Sequence, residues 1–279
     1  MNYPILLENV DFTYPLAEDD GEEEAREAAK PLFSGLSLGL PRGFTFMVGP
    51  NGIGKSTLML LASARLFPGA GRITILERPS TDFLDAAVDP DLEEERNRRV
   101  SFVYQNMEFE TEFPLGDVLE LVAANSVDPA GAARRYADLL DAADLRERLG
   151  ARMQELSKGE MQRAIVVMSV LYGSPILMMD EPVFAVEAHR AEQLFAYLRE
   201  LCRDGSHTMY ASVHDVELAR KFGDSVVLMH SDGAVEAGPA EELLTRESLE
   251  TAFRAPWDTL YRRQALYREF LNKTALTED

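Results

Sequence analysis

Gly49-Pro50-Asn51-Gly52-Ile53-Gly54-Lys55-Ser56-Thr57 decides the reading of this chain. It fits G-x-x-x-x-G-K-[ST], and it stands between an apolar strand pattern, Phe44–Val48, and an apolar helical pattern, Lys55–Leu66. The glycines let backbone N–H groups close on phosphate oxygens with no Cβ in the way. The following helix adds the positive end of its dipole. Lys55 can reach β- and γ-phosphates, and Ser56 offers a hydroxyl to Mg²⁺. A glycine-rich structural turn is the bland alternative, and the strand–loop–helix context argues against it. Contacts to a nucleoside triphosphate are therefore expected from Gly49, Asn51, Gly52, Gly54, Lys55, Ser56 and Thr57.

A second element must hold the metal. Ile176-Leu177-Met178-Met179-Asp180-Glu181 is an apolar run ending in two carboxylates, as a buried parallel strand beside the phosphate loop would end. Asp180 is placed to order Mg²⁺ through water, and Glu181 to orient or deprotonate the attacking water.

Outward from these two motifs, short β-branched runs alternate with longer helical patterns, which predicts an α/β fold. Further strands are expected at Ile5–Phe12, Arg72–Leu76, Val100–Tyr104, Thr208–Val213, Ser225–His230 and Gly233–Gly238, with Leu32–Leu40 pairing back on the first. Helices are expected at Leu115–Ala124, Ala130–Ala142, Glu160–Tyr172, Ala188–Arg203 and Val216–Phe222. Only helical spacing appears between Tyr104 and Ile176, so a helical lobe is inserted at about 106–172. The tail 241–279 carries Leu249, Phe253, Trp257, Leu260 and Tyr261 at helical spacing and is expected to pack as helices on the core. Glu18–Glu24 and Asp89–Glu95 are dense in like charge and read as solvated loops.

Composition narrows the task. Of 279 residues, 28 are Lys or Arg and 48 Asp or Glu, a formal charge of −20 that repels nucleic acid and anionic lipid. The single cysteine, Cys202, excludes an internal disulfide framework and a cysteine-based zinc site. Met1-Asn2-Tyr3-Pro4 lacks the start of a signal peptide, and no apolar run approaches the roughly 20 residues of a spanning helix, so a cytoplasmic location is expected. Asn272-Lys273-Thr274-Ala275 lacks the final aspartate of a guanine-reading N-K-x-D, which argues against a GTPase.

Leu156-Ser157-Lys158-Gly159-Glu160-Met161-Gln162-Arg163 contains an S-x-x-E capping box, Ser157 with Glu160, opening a helix that stops at Gly173-Ser174-Pro175. It is either a capped helix and nothing more, or a second anion site made of a helix N-terminus, a hydroxyl and a glycine amide.

The ordered set of Tyr14, the phosphate loop, Gln105, Leu156–Gln162, Asp180-Glu181-Pro182 and His214 resembles the ATP-binding-cassette (ABC) ATPase family over nearly the whole chain. The resemblance implies an ATPase domain over 1–240, a P-loop core with an antiparallel β subdomain and the inserted helical subdomain. It implies that Tyr14 stacks on adenine, that Gln105 touches the metal and the attacking water, and that His214 contacts the γ-phosphate. It also implies a head-to-tail homodimer in which each ATP lies between one phosphate loop and the partner's Ser157, Gly159 and Glu160. The catalytic set so implied is Lys55, Gln105, Glu181 and His214, with Ser56, Gln105 and Asp180 around Mg²⁺.

Two departures stand out. The usual Leu-Ser-Gly-Gly-Gln signature has Lys158 and Glu160 at its third and fifth places, and the usual Thr-Ser-Ala-Leu-Asp beyond Pro182 is Val183-Phe184-Ala185-Val186-Glu187. Such chains resemble motor subunits of transporters, so a multispanning permease and a substrate-binding protein are the implied partners, and the cytoplasmic face of the membrane the implied place. Phe113–Leu119 and Glu242–Phe253 resemble importers of iron chelates, haem or cobalamin. The rival readings are a soluble ABC machine of the iron–sulfur assembly type, which Glu160 resembles, and a slow ATP-dependent dimerisation switch. Lys55→Ala is expected to weaken ATP binding by at least tenfold, on the order of one lost charge-assisted contact, measured by titration with a fluorescent ATP analogue.

Overall fold

The computed structural model describes residues 3–15, 31–105, 107 and 111–262. The acidic run at 18–24, the Asn272–Ala275 tetrapeptide and the tail beyond 262 lie outside the described residues. Among the described residues, ten strands and nine α-helices follow in chain order: β1 (Ile5–Phe12), β2 (Phe33–Leu40), β3 (Phe44–Val48), α1 (Lys55–Ala62), β4 (Ala70–Ile75), β5 (Arg78–Pro79), α2 (Pro90–Arg99), β6 (Val100–Val103), α3 (Leu115–Ala124), α4 (Pro129–Ala142), α5 (Lys158–Tyr172), β7 (Ile176–Met179), α6 (Ala188–Arg203), β8 (Thr208–Ser212), α7 (Val216–Phe222), β9 (Ser225–Met229), β10 (Val235–Pro239), α8 (Ala240–Leu243) and α9 (Arg246–Phe253).

Two sheets form. The smaller is antiparallel, in the order β2-β1-β4-β5. The larger runs β10-β9-β3-β8-β7-β6, parallel except for β10 at its edge. Its strands read as unbroken apolar runs because both faces are covered, and period-two alternation deals their side chains to two cores. Phe44, Phe46, Leu177, Met179, Met209 and Ala211 join one core with the helices. Met47, Ile176, Met178, Tyr210 and Val227 join the other, against β1, β4 and α1. Between Val103 and Ile176 the described residues form helices and their connections and no strand, with one isolated bridge, Pro114 to Arg152. Leu249, Ala252 and Leu260 are buried in the helix-side core.

The acidic run at Asp89 corrects one expectation: it opens α2 rather than a solvated loop. The Asp89 side chain accepts from the amides of Asp91 and Leu92, Pro90 takes the first helical position, and Arg96, Arg98 and Arg99 occupy the last turn. Acidic residues at the N-terminus and basic ones at the C-terminus both complement the helix dipole, so these charges stabilise the helix instead of dispersing it. The helix after the phosphate loop also stops earlier than expected, at Ala62.

Phe46 is fully buried, 4.6 Å from Phe44 and 5.5 Å from Phe195 between ring centroids. Phe46→Ala is expected to cost about 3–5 kcal/mol through lost burial and the cavity left behind, measured by denaturant unfolding.

Candidate nucleotide site

The parallel strands β3, β8 and β7 are neighbours, and the segments following all three meet at one edge of the sheet. After β3 the chain enters the phosphate loop and reaches α1 through Gly54, whose φ of 106° only glycine adopts without strain. Lys55 is 8% exposed, and its ammonium donates to the Gly49 and Pro50 carbonyls at 2.9 Å each. Burial pushes its pKa below the ordinary lysine value, while the carboxylates of Glu181 and Asp180 work in the opposite direction. Asn51, Gly52 and Ser56 are exposed, and Thr57 is buried. Tyr14, half exposed, reaches across from the end of β1, and its hydroxyl lies 2.7 Å from the Thr57 hydroxyl.

After β7 come Asp180, buried, and Glu181, whose φ of 49° lies in the left-handed region. Gln105, following β6, donates from Nε2 to Glu181 Oε2 at 2.8 Å, and His214 Nε2 lies 2.6 Å from Glu181 Oε1. The carboxylate is thus gripped from two sides by side chains of different strand ends. Ser212, the last residue of β8, donates to Asp180 Oδ1 at 2.6 Å and accepts from the Glu181 amide at 2.9 Å. Sequence reasoning missed it; the available signal was a hydroxyl closing an apolar strand two residues before His214.

The Mg²⁺ expected here is a hard cation that takes few protein oxygens and completes its shell with water and phosphate. The donor set fits. It consists of the exposed Ser56 hydroxyl and the Asp180 carboxylate, with the Gln105 amide, and among the described residues no cluster of three His, Cys, Asp or Glu builds an all-protein cage.

Ser157, Gly159 and Glu160 start α5 at a separate place. Ser157 and Lys158 are exposed. Ser157 Oγ accepts from the Glu160 amide at 3.3 Å, and Glu160 Oε2 accepts from the Ser157 amide at 2.9 Å, completing the capping box. Glu160 Oε1 pairs with Arg148 Nε at 2.6 Å. Both carboxylate oxygens are therefore engaged within the chain, which is where the structure puts a residue expected to face ATP. Burial pushes the Glu160 carboxyl up, but the Ser157 amide and Arg148 outweigh it and hold the pKa below the ordinary value. A Cβ on Gly159 would lie 2.6 Å from the Ala185 carbonyl oxygen, and Gln162 Oε1 accepts from the Ala185 amide at 2.9 Å. The start of α5 is thereby keyed to the loop that follows Glu181. At the end of that loop Glu187 pairs with Arg190 at 2.8 Å. A cleft of about 780 Å³ lies beside Glu181, lined also by His214, Phe184, Leu218 and Trp257 among others, and none of the phosphate-loop residues line it.

A doubly covered parallel sheet with a phosphate loop at its edge defines the class, a P-loop α/β nucleotide-binding protein. Residues 33–184 match the family described as ABC transporter. The nickel import ATP-binding protein NikO of Rhodobacter capsulatus is 32% identical over 78% of this chain and 87% of its own length. The hemin import ATP-binding protein HmuV of Rhizobium meliloti is 32% identical over 82% of this chain and 87% of its own. A dimeric ATP-binding cassette in a post-hydrolysis state with ADP and Pi shares the fold, with a TM-score of 0.67 at 23% identity over 85% of this chain and 98% of that one. The chain belongs to the ABC transporter family and is an ABC-type ATPase.

Replacing Glu160 by Gln keeps the capping box and removes the charge facing Arg148. Because the folded carboxyl titrates below its unfolded value, its contribution is present above the unfolded pKa and is lost as pH falls through the folded one. Glu160→Gln is expected to melt below wild type at neutral pH, with the gap closing in acid below the carboxylate range, read by Tm across pH.

Proposed function

We propose that this chain is the ATP-hydrolysing motor subunit of an importer, working as a homodimer around two Mg²⁺–ATP. The single observation that carries the reading is the Glu181 carboxylate, held between Gln105 and His214 at the edge where the buried Lys55 also lies. A general base must be oriented before it can take a proton from water, and this one is oriented from both sides. Lys55, now on two loop carbonyls, turns onto the β- and γ-phosphates when ATP arrives. Tyr14 stacks on the base. Ser56, Asp180 and Gln105 are the residues that would hold Mg²⁺, which would supply positive charge against the phosphates. His214 keeps contact with the γ-phosphate end of the site, while the partner's Ser157 and Gly159 close over it with a hydroxyl and a helix N-terminus. Glu160 serves that closure indirectly, by fixing the Ser157 cap.

The ATPase domain is read as 1–240 with its helical lobe at about 106–172, and 241–279 as a helical extension. Among the described residues no helix is long and apolar enough to cross a membrane. The reading assigns the pathway to a separate multispanning permease, with a substrate-binding protein as a further partner. The subunit then sits on the cytoplasmic face. The names of NikO and HmuV support import as the direction. Glu160, on which the iron–sulfur assembly reading rests, is engaged with Ser157 and Arg148, so that reading gains nothing from the structure.

Glu181→Gln is expected to reduce steady ATP turnover at least a hundredfold while ATP still binds, and to accumulate as an ATP-dependent dimer by size-exclusion chromatography. Adding Ser157→Arg should return that dimer to monomer. Turnover that persists in Glu181→Gln, or a dimer indifferent to Ser157→Arg, would reject this arrangement.

A further inference from the structure

Ser212 occupies a position that no motif in the sequence assigns. It closes β8, the strand between β3, which feeds the phosphate loop, and β7, which ends at Asp180-Glu181. On one side its register partner is Met47; on the other, Ala211 pairs with Met179, so Ser212 stands one step along, beside Asp180. The side chain is fully buried. A buried hydroxyl has one proton to give and lone pairs to offer, and here both capacities are used on the same two residues. The proton goes to Asp180 Oδ1 at 2.6 Å, a charge-assisted bond, and a lone pair takes the Glu181 amide at 2.9 Å.

The second bond matters because of the backbone. At φ 49° Glu181 is in a region that L-residues other than Asn and Asp rarely enter, and its amide has left the β7 ladder. Without Ser212 that donor would lose its partner, and the left-handed turn would lose the bond that holds it.

We propose that Ser212 is a positioning residue for ATP hydrolysis. One hydroxyl fixes the Asp180 carboxylate and the Glu181 main chain together, so that the metal-holding oxygen and the base keep one spacing. The inference rests on the roles proposed above for Asp180 and Glu181. A hydroxyl that merely satisfied itself in the core would affect stability alone.

The test compares wild type, Ser212→Ala, Ser212→Cys, Ser212→Thr and Glu181→Gln in ATP turnover, in ATP affinity with Mg²⁺ and with EDTA, and in Tm. Ser212→Ala is expected to lower kcat about tenfold and to lose several-fold of the affinity gained on adding Mg²⁺, while ATP affinity in EDTA stays at the wild-type value. Ser212→Thr keeps the hydroxyl and should recover most of both. Ser212→Cys puts a slightly larger group and a weaker donor at the same place and should fall between, which carries the test if the alanine variant does not fold. Wild-type kcat and Mg²⁺ response in the alanine or cysteine variant, whatever the Tm, would overturn the proposal. So would a folded threonine variant as impaired as alanine. Failure of the underlying roles reads differently: Glu181→Gln would then turn over like wild type, and the Mg²⁺-dependent affinity would still report on Ser212.

Discussion

Parallel pairing of β3, β8 and β7 sends three chain segments out of the sheet at the same edge, and everything chemical in this molecule depends on that. A parallel ladder requires a crossover between each pair of strands, so residues far apart in sequence arrive side by side without any local turn to join them. Lys55, Asp180 and His214 converge in this way. The cost is a cluster of like charges, since Asp180 and Glu181 are adjacent. It is offset by giving each carboxylate its own partners: the Ser212 hydroxyl for one, Gln105 and His214 for the other.

The phosphate loop and the strand Ile176–Met179 were legible because their residue types leave little choice. An apolar strand, glycines and a lysine at a helix start have one common structural solution, and four consecutive apolar residues before two acids have few. The helix at Pro90–Arg99 was not legible from charge density, because a run of acids means opposite things at a helix N-terminus and in a loop. Asp89 and Pro90 were the deciding residues there. Ser212 was hidden for another reason. A serine in an apolar strand carries no spacing signal of its own, and its partners are defined only by the register across β7 and β8.

The departures from the usual signature acquire a local account. Glu160 completes a cap and an ion pair behind Ser157, and Glu187 pairs with Arg190. Lys158 is exposed at the very start of α5. Gly159 and Gln162 bind that helix start to the Ala185 backbone, so a shift of the signature segment moves the chain only four residues beyond Glu181. Those contacts tie the start of α5 to the loop that follows Glu181.

The two-sided strands also set where this sequence can grow. In β3, β7 and β8 each step along the chain switches a side chain from one core to the other. Lengthening any of them by a single residue would turn both cores inside out at once and carry the site residues at their ends to the wrong face. A single-residue insertion is therefore expected to be tolerated in the connections and not within these three strands.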